Sequence, residues 1–464
     1  MKKMPASLLL RSGLVLLLLL VAGACRDVQE GEEPTSYSFI LDTPPDGATE
    51  VDRRVLLHWS IWTNFELVDS ARLCFGTSNP PPFLRWTSRQ DSGYFRPGPL
   101  EPGTTYYWQL DIPSPAGTSP VRSFTVGSDR TLWTYMLPPG QSVYDVNGTP
   151  EVLGNRVFQR SEKGLLHCLD AVSGALLWIF DSTQTGSIAR SRMAAVERIY
   201  YNNGIINCLN AATGALLWRA APPSNSGYRP PLALGDRVFA HSNERISCLD
   251  AATGHELWGV DRVLCTTMAA AGGRVFVTTN SSVYYDGTNL LECLDAETGL
   301  LLWSRDFGKE FPEPREPAAT DSSVYIGCGS RLYCLDAGSG TTRWEYAALE
   351  RAANPFVLGE QLLLSEGQDR YALLDAASGA RLWQAELLDT PERDHYTSIN
   401  GDPVLLGGNI ILADTSGYVY CLDAASGAMR WHYFVSTDLM GIAKWGNRVY
   451  VTGDDEYLFC IRTD

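Results

Sequence analysis

The sequence has few of the residues from which catalytic centres are built. It contains six histidines, and none of them stands in an HExxH zinc motif or a CxxCH haem motif. No two cysteines are adjacent, and the chain has no nucleophile elbow, phosphate-binding loop or dinucleotide-binding glycine motif. The histidines are scattered, at His58, His167, His241, His255, His395 and His432. The sequence therefore predicts no catalytic, metal-binding or cofactor-binding residue.

Positive charge is also scarce. The chain has 37 Lys and Arg against 53 Asp and Glu, a formal net charge of −16. A chain of this charge repels phosphate backbones, so we expect no nucleic-acid partner.

The one long apolar run lies near the start of the chain. Lys2 and Lys3 precede the run at residues 13–21 (GLVLLLLLV), which is too short to span a bilayer and is typical of a signal peptide. The small residues 22–24 then lead into Cys25, an arrangement that resembles the bacterial lipobox. We predict a signal peptide over 1–24 and a lipid on Cys25. Ordinary signal cleavage, with Cys25 incidental, is the alternative.

Residues 25–36 are polar and acidic, which predicts a flexible tether. Arg26 follows the cysteine, and by resemblance to the enterobacterial sorting rule this favours the outer membrane, at its periplasmic face or at the cell surface.

Residues 37–126 alternate apolar and polar positions between turn residues, which predicts a small antiparallel β-sandwich. Trp59 lies early in this segment, and a Pro-Gly turn precedes Tyr106. The segment resembles a fibronectin type III domain. That resemblance implies either a spacer or a module that recognises a specific ligand.

From residue 129 onward the chain repeats itself. Seven units follow the pattern Cys-Leu-Asp-Ala-x-Ser/Thr-Gly and then Trp, with Asn in place of Asp in one unit and Leu in place of Cys in another, and their tryptophans stand 39 to 48 residues apart. This period is that of a four-stranded β-propeller blade. The last unit ends at Cys460 without a Trp, whereas Trp133 has no preceding unit. We therefore predict an all-β, eight-bladed propeller over 129–464, closed by a strand at 131–136.

The repeated residues are interpreted as structural. Asn210 replaces Asp in one unit, and an amide preserves a turn hydrogen bond but not a metal site. The predicted turn residues are Asp170, Gly174, Asn210, Gly214, Asp250, Gly254, Asp295, Gly299, Asp336, Gly340, Asp375, Gly379, Asp423 and Gly427. The predicted docking residues between blades are Trp133, Trp178, Trp218, Trp258, Trp303, Trp344, Trp383 and Trp431.

Seven of the 11 cysteines occupy one position of the repeat, where the remaining unit has Leu373. We call this set the cysteine column: Cys168, Cys208, Cys248, Cys293, Cys334, Cys421 and Cys460. Sheets that pack about 10 Å apart are too distant for disulfides between equivalent positions, so we predict that the column is core. Whether Cys74, Cys265 or Cys328 form disulfides stays open.

The repeat resembles the tryptophan-docking motif of PQQ-like (quinoprotein alcohol dehydrogenase-like) propellers. Enzymes and scaffolds share that motif, so it predicts the fold and not the activity. The resemblance implies a non-catalytic, lipid-anchored module that binds a protein at the cell envelope, similar to the lipoprotein subunit of the β-barrel assembly machinery. A quinone-dependent dehydrogenase and a cell-surface polysaccharide-binding protein are the alternatives. Candidate binding loops lie at 305–318 and 384–400, where charge, proline and aromatic residues interrupt the repeats. Ordinary variable surface is the alternative interpretation of both loops.

Overall fold

The computed structural model describes most of the chain from residue 37 onward. The described residues are 37–51, 53, 55, 57–63, 70–87, 92–98, 100–113, 116–137, 148–161, 165–181, 197–202, 205–221, 231–242, 244–262, 265–280, 289–308, 316–348, 354–367, 370–387, 401–436, 439–453 and 457–464. The predicted signal peptide, Cys25 and the predicted tether lie outside them. Every regular element within these ranges is a β-strand, and none is a helix long and apolar enough to cross a membrane.

Nine strands precede residue 127. They are β1 (Tyr37–Thr43), β2 (Ala48–Val51), β3 (Leu57–Thr63), β4 (Arg72–Gly76), β5 (Phe83–Trp86), β6 (Ser92–Phe95), β7 (Thr105–Pro113), β8 (Ala116–Thr118) and β9 (Arg122–Val126). One sheet has the order β1-β3-β6, and the other has the order β2-β9-β7-β4-β5 with β8 beside β7.

The two N-terminal sheets share one apolar core. Along β7 the residues Trp108, Leu110 and Ile112 are buried, whereas Gln109 and Asp111 between them are half-exposed. Successive side chains of a strand point to opposite faces, so one face of this sheet is packed and the other meets solvent. Trp59 of the smaller sheet meets Trp108 with ring centroids 6.5 Å apart.

The remaining strands follow the repeats. They are β10 (Thr131–Met136), β11 (Glu151–Leu153), β12 (Arg156–Arg160), β13 (Leu165–Asp170), β14 (Leu176–Asp181), β15 (Arg198–Asn202), β16 (Ile206–Asn210), β17 (Leu216–Ala220), β18 (Leu232–Leu234), β19 (Arg237–His241), β20 (Arg245–Asp250), β21 (Glu256–Asp261), β22 (Cys265–Ala271), β23 (Arg274–Asn280), β24 (Asn289–Asp295), β25 (Leu301–Asp306), β26 (Ala318–Ala319), β27 (Ser323–Cys328), β28 (Arg331–Asp336), β29 (Thr342–Ala347), β30 (Pro355–Leu358), β31 (Gln361–Ser365), β32 (Arg370–Asp375), β33 (Arg381–Glu386), β34 (Val404–Leu406), β35 (Asn409–Ala413), β36 (Tyr418–Asp423), β37 (Met429–Phe434), β38 (Gly441–Trp445), β39 (Arg448–Thr452) and β40 (Tyr457–Arg462).

These strands form antiparallel sheets in chain order. Six sheets have four consecutive strands each: β11–β14, β18–β21, β22–β25, β26–β29, β30–β33 and β34–β37. Another sheet shows three described strands, β15–β17. A composite sheet has the order β10-β40-β39-β38, so the strand at Thr131–Met136 pairs with the last strand of the chain.

The cores of the repeat region lie between neighbouring sheets. Phe276 and Leu291 of one sheet, for example, pack with Val324 and Ile326 of the next. The central strands are buried on both faces, because each sheet has a neighbour on either side. The first strands of successive sheets also contact one another, as β22 contacts β26 and β26 contacts β30.

Candidate functional site

The repeated tryptophans link each sheet to the next one. The indole ring of Trp383, on the fourth strand of its sheet, donates its N–H to the backbone oxygen of Ala424 in the next sheet, at 2.9 Å. Ala424 directly follows the turn residue Asp423. The same bond recurs for Trp178 to Ala211 (3.3 Å), Trp218 to Ala251 (3.1 Å), Trp258 to Ala296 (3.1 Å), Trp303 to Ala337 (3.0 Å) and Trp344 to Ala376 (3.3 Å).

Each indole also lies against the turn glycine of the next sheet. Gly427 has φ +74°, and a Cβ built on it would stand 2.7 Å from Trp383. Glycine is required here both by the left-handed backbone and by the close approach of the ring. The glycines with this environment are Gly174, Gly214, Gly254, Gly299, Gly340, Gly379 and Gly427. Six of these glycines lie against the six indoles named above, and Gly174 lies against the indole of Trp133.

The turn acids organise the same hairpins from within. Asp250 Oδ1 accepts hydrogen bonds from the N–H of Ala252 (3.1 Å) and from the N–H (2.7 Å) and hydroxyl (2.6 Å) of Thr253. These bonds, the Thr253 hydroxyl first, lower the pKa of Asp250 below its ordinary value. Asn210 Oδ1 makes the equivalent three bonds, so an amide performs the same task. Asp170, Asp295, Asp336 and Asp423 do so too, and Asp375 accepts the corresponding bonds from Ser378.

The composite sheet departs from this pattern at both of its junctions. Trp133 lies against Gly174, but its indole N–H is buried without a hydrogen-bond partner among the described residues. The backbone oxygen of Ala171 corresponds to the oxygens that accept the indole N–H at the other junctions. Here it accepts a hydrogen bond from the hydroxyl of Tyr450 at 2.8 Å.

At the other junction of the composite sheet, Trp431 meets no repeat turn among the described residues, because the fourth strand of this sheet is β10, from the start of the repeat region. The guanidinium of Arg130 covers the Trp431 ring instead, 4.2 Å from its centroid. Arg130 also donates to the backbone oxygen of Asp464 at 2.8 Å.

The cysteine column lies directly beside the tryptophans. Cys168 is the cross-strand partner of Trp178, Cys460 is that of Trp133, and Leu373 takes the same place beside Trp383. Burial raises the pKa of the column thiols, to about 12 for Cys168. None of the ten cysteines in the described part of the chain forms a disulfide, including Cys74, Cys265 and Cys328.

Two histidines, His167 and His432, have lowered pKa values. The Nδ1 atom of His167 is 3.1 Å from the hydroxyl of Tyr135, and burial lowers the pKa of His167 to about 4. Burial also lowers the pKa of His432 to about 4. The described residues contain no group of three or more His, Cys, Asp or Glu side chains arranged to hold a metal ion.

The two ends of the repeat sheets differ in their loops. Because successive strands are antiparallel, the loops after the second and the fourth strands leave at one end, which we call the connector end. The turns after the first and the third strands leave at the opposite end, the turn end. The turn end carries short, similar hairpins such as 250–256, whereas the joins at the connector end vary from residues 329–330 to residues 387–403.

A cavity of about 220 Å³ opens among the first strands. Its wall consists mainly of small and apolar residues, including Ala269 and Phe356. Three polar residues belong to its lining, and each precedes a proline where a first strand begins: Glu316, Asn354 and Asp402. No Lys, Arg or His is among the described residues that line this cavity.

The candidate binding loops are shorter than the sequence predicts. Arg305 and Asp306 belong to β25, and Gln384–Glu386 belong to β33, because these two strands continue for three residues beyond their Trp. Residues 309–315 and 388–400 lie outside the described residues. Both loops join strands at the connector end.

Comparisons with known proteins agree on the fold. The sequence matches the family described as outer membrane protein assembly factor BamB over residues 117–201, 185–263 and 287–462. A crystal structure of BamB from Moraxella catarrhalis is 18% identical, with a TM-score of 0.54 over 72% of this chain and 99% of that chain. A computationally designed protein, Ika8, has a TM-score of 0.59 at 14% identity, over 72% and 99%. Quinohemoprotein alcohol dehydrogenase from Comamonas testosteroni has a TM-score of 0.53 at 13% identity, over 72% and 76%.

At these identities the structural likeness shows the fold alone, a β-propeller with PQQ-like repeats. The comparison with curated proteins finds no match. Since the family match spans well over half of the sequence, the chain belongs to the family described as outer membrane protein assembly factor BamB.

Proposed function

We propose that this chain is a non-catalytic scaffold of the cell envelope that binds a protein partner through the connector end. In this proposal the eight repeat sheets are the eight blades of one propeller, and residues 37–126 form a fibronectin type III-like sandwich. A lipid on Cys25 anchors the chain, with the outer membrane favoured. Membership of the BamB family and the likeness to a BamB structure support this role.

The observation that carries the proposal is the difference between the two ends of the sheets. At the junctions the repeated tryptophans lie against turn glycines of the next sheet, and at the turn end the repeated acids accept hydrogen bonds within their own hairpins. The chemistry of these residues is therefore used within the fold. At the connector end the joins differ in length and sequence from sheet to sheet. Variable loops on a rigid scaffold are where binding specificity usually resides.

The cavity argues against a quinone-dependent dehydrogenase. Pyrroloquinoline quinone carries three carboxylates, so its site must supply positive charge. The described lining supplies Glu316, Asp402 and the amide of Asn354, and no basic side chain. The described lining residues therefore do not fit that cofactor.

Site-specific photo-crosslinking in cells tests the proposal. A benzophenone side chain would be placed at the exposed connector-end positions Glu244 and Ser330, and at the exposed turn-end positions Asp236 and Glu360 as matched controls. We expect discrete protein adducts from the connector-end positions and none from the controls. Adducts from the turn-end positions alone, or from no position, would refute the proposed binding surface.

A further inference from the structure

The larger N-terminal sheet exposes aromatic side chains on its solvent face. Phe83 and Trp86 lie on the edge strand β5, with 45% and 51% of their surfaces exposed. Their rings meet nearly edge to face, with centroids 5.8 Å apart and an interplanar angle of 64°. Exposed aromatic rings grouped in this way on a rigid sheet indicate a binding surface.

Polar groups stand beside these rings on the same face. In the register of the sheet, Arg72 is paired with Trp86 on one side and with Asp111 on the other. The guanidinium of Arg72 lies 4.8 Å from the Phe83 centroid and 5.8 Å from that of Trp86, and its Nη1 atom is 3.5 Å from Asp111 Oδ2. The hydroxyl of Thr118 donates to the other oxygen of Asp111 at 3.2 Å, which orients the carboxylate.

We call Arg72, Phe83, Trp86, Gln109 and Asp111 the aromatic face. Gln109 belongs to it because it pairs with Cys74, which pairs with Phe83. The face combines two rings, a donor, an acceptor and an amide. The positive charge of Arg72 is balanced by the negative charge of Asp111, so these five residues carry no net charge.

The size of the aromatic face limits its ligand. Two half-exposed aromatic side chains offer about 200 Å² of apolar surface, whereas a stable protein interface buries about 800 Å² on each partner. Strand addition is disfavoured as well, because β5 has only four residues and its pairing with β4 is interrupted by a register shift. One or two sugar rings match the size of this surface.

We propose that the aromatic face binds neutral hexopyranose units of a glycan chain. The C–H groups of a pyranose ring pack on an aromatic face, while adjacent hydroxyls accept from a guanidinium and donate to a carboxylate. Arg72 supplies that donor beside Trp86, and Asp111, on the far side of Arg72, supplies the acceptor. The balanced charge of the face suits an uncharged sugar. This inference does not depend on the protein-binding role of the connector end.

Calorimetric titration of the purified protein with cellohexaose and with chitohexaose tests the proposal. We expect at least one of these neutral β-1,4-linked chains to bind. Trp86→Ala and Phe83→Ala should each weaken that binding tenfold or more, because each removes a stacking surface. The matched control is Ile40→Ala, which removes an equally exposed apolar side chain (45%) from the other sheet and should leave the affinity unchanged.

Binding to neither oligosaccharide by the folded wild-type protein would overturn the proposal. Equal loss in the Ile40→Ala control would overturn it as well. Circular dichroism establishes that each variant is folded. A further variant, Arg72→Gln, keeps both aromatic rings and should also weaken binding, because it removes the charged donor. A protein adduct from a crosslinker at Trp86, without sugar binding, would assign the face to a protein instead. None of these outcomes bears on the crosslinks at the connector end.

Discussion

The contact between the turn glycines and the indoles makes a sharp prediction about stability. Gly427 and Gly359 both have left-handed backbones, with φ of +74° and +69°. A Cβ on Gly427 would stand 2.7 Å from Trp383, whereas a Cβ on Gly359 would meet nothing within 4 Å. At either position, alanine in the left-handed conformation lowers the free energy of unfolding by about 1–2 kcal/mol. Only Gly427→Ala adds overpacking against a docked ring, about 1–3 kcal/mol more.

Chemical unfolding of the purified variants, followed by far-UV circular dichroism, measures the difference. We expect Gly427→Ala to lower the free energy of unfolding by about 2–5 kcal/mol and Gly359→Ala by about 1–2 kcal/mol. In a Trp383→Leu background the extra cost of Gly427→Ala should disappear, because the ring that it strikes is gone. Equal losses at the two glycines, or no coupling to Trp383, would refute the docking argument.

Three further predictions concern junctions and buried groups, and a fourth concerns the anchor. Trp383→Phe should lower the free energy of unfolding by about 1 kcal/mol more than Trp133→Phe, because of these two indoles only that of Trp383 has an acceptor among the described residues. Equal losses in chemical unfolding would contradict this. The cysteine column should resist alkylation at pH 8 until the protein unfolds, because burial raises the pKa of its thiols; rapid labelling of the native protein would count against it. His167 has a folded pKa of about 4, below its unfolded value of 6.5, so its contribution to stability is complete above pH 6.5 and is lost as the pH falls towards 4. The free energy of unfolding, measured across this range, should depend less on pH in His167→Gln than in the wild type. An unchanged pH dependence would argue against the lowered pKa of His167. Cys25→Ser should move the protein from the membrane to the soluble fraction on cell fractionation, and retention in the membrane would rule out the lipid anchor.

The repeat pattern carried most of the fold information. Because every unit must bury both faces of its sheet against similar neighbours, spacing and turn residues alone predict a series of equivalent sheets. The incomplete ends of the repeat, Trp133 and Cys460, lie opposite each other in the composite sheet. The exchange of Asp for Asn at position 210 already pointed to a hydrogen-bonding turn, and the bonds made by Asn210 have that form.

Features outside the repeat pattern could not be predicted from it. Arg130 covers Trp431, but a single arginine in a linker carries no periodic signal. The rings of Phe83 and Trp86 stand three positions apart in a four-residue strand, so alternation alone would place them on opposite faces. A register shift between β4 and β5 accompanies their meeting on one face. The cavity depends on how the first strands of several sheets converge, which is a property of the assembled fold.

The linker between the two regions of the chain has a mechanical consequence. Asp129 accepts a hydrogen bond from the hydroxyl of Tyr433 at 2.7 Å, and its carboxylate lies 3.6 Å from the guanidinium of Arg53. The guanidinium of Arg130 packs on the ring of Trp431. Tension applied through the N-terminal domain therefore reaches these linker contacts first, and then the opening strand β10, which pairs with the last strand of the chain. A load that began to separate β10 from β40 would also strain Arg130, which donates to the backbone oxygen of Asp464.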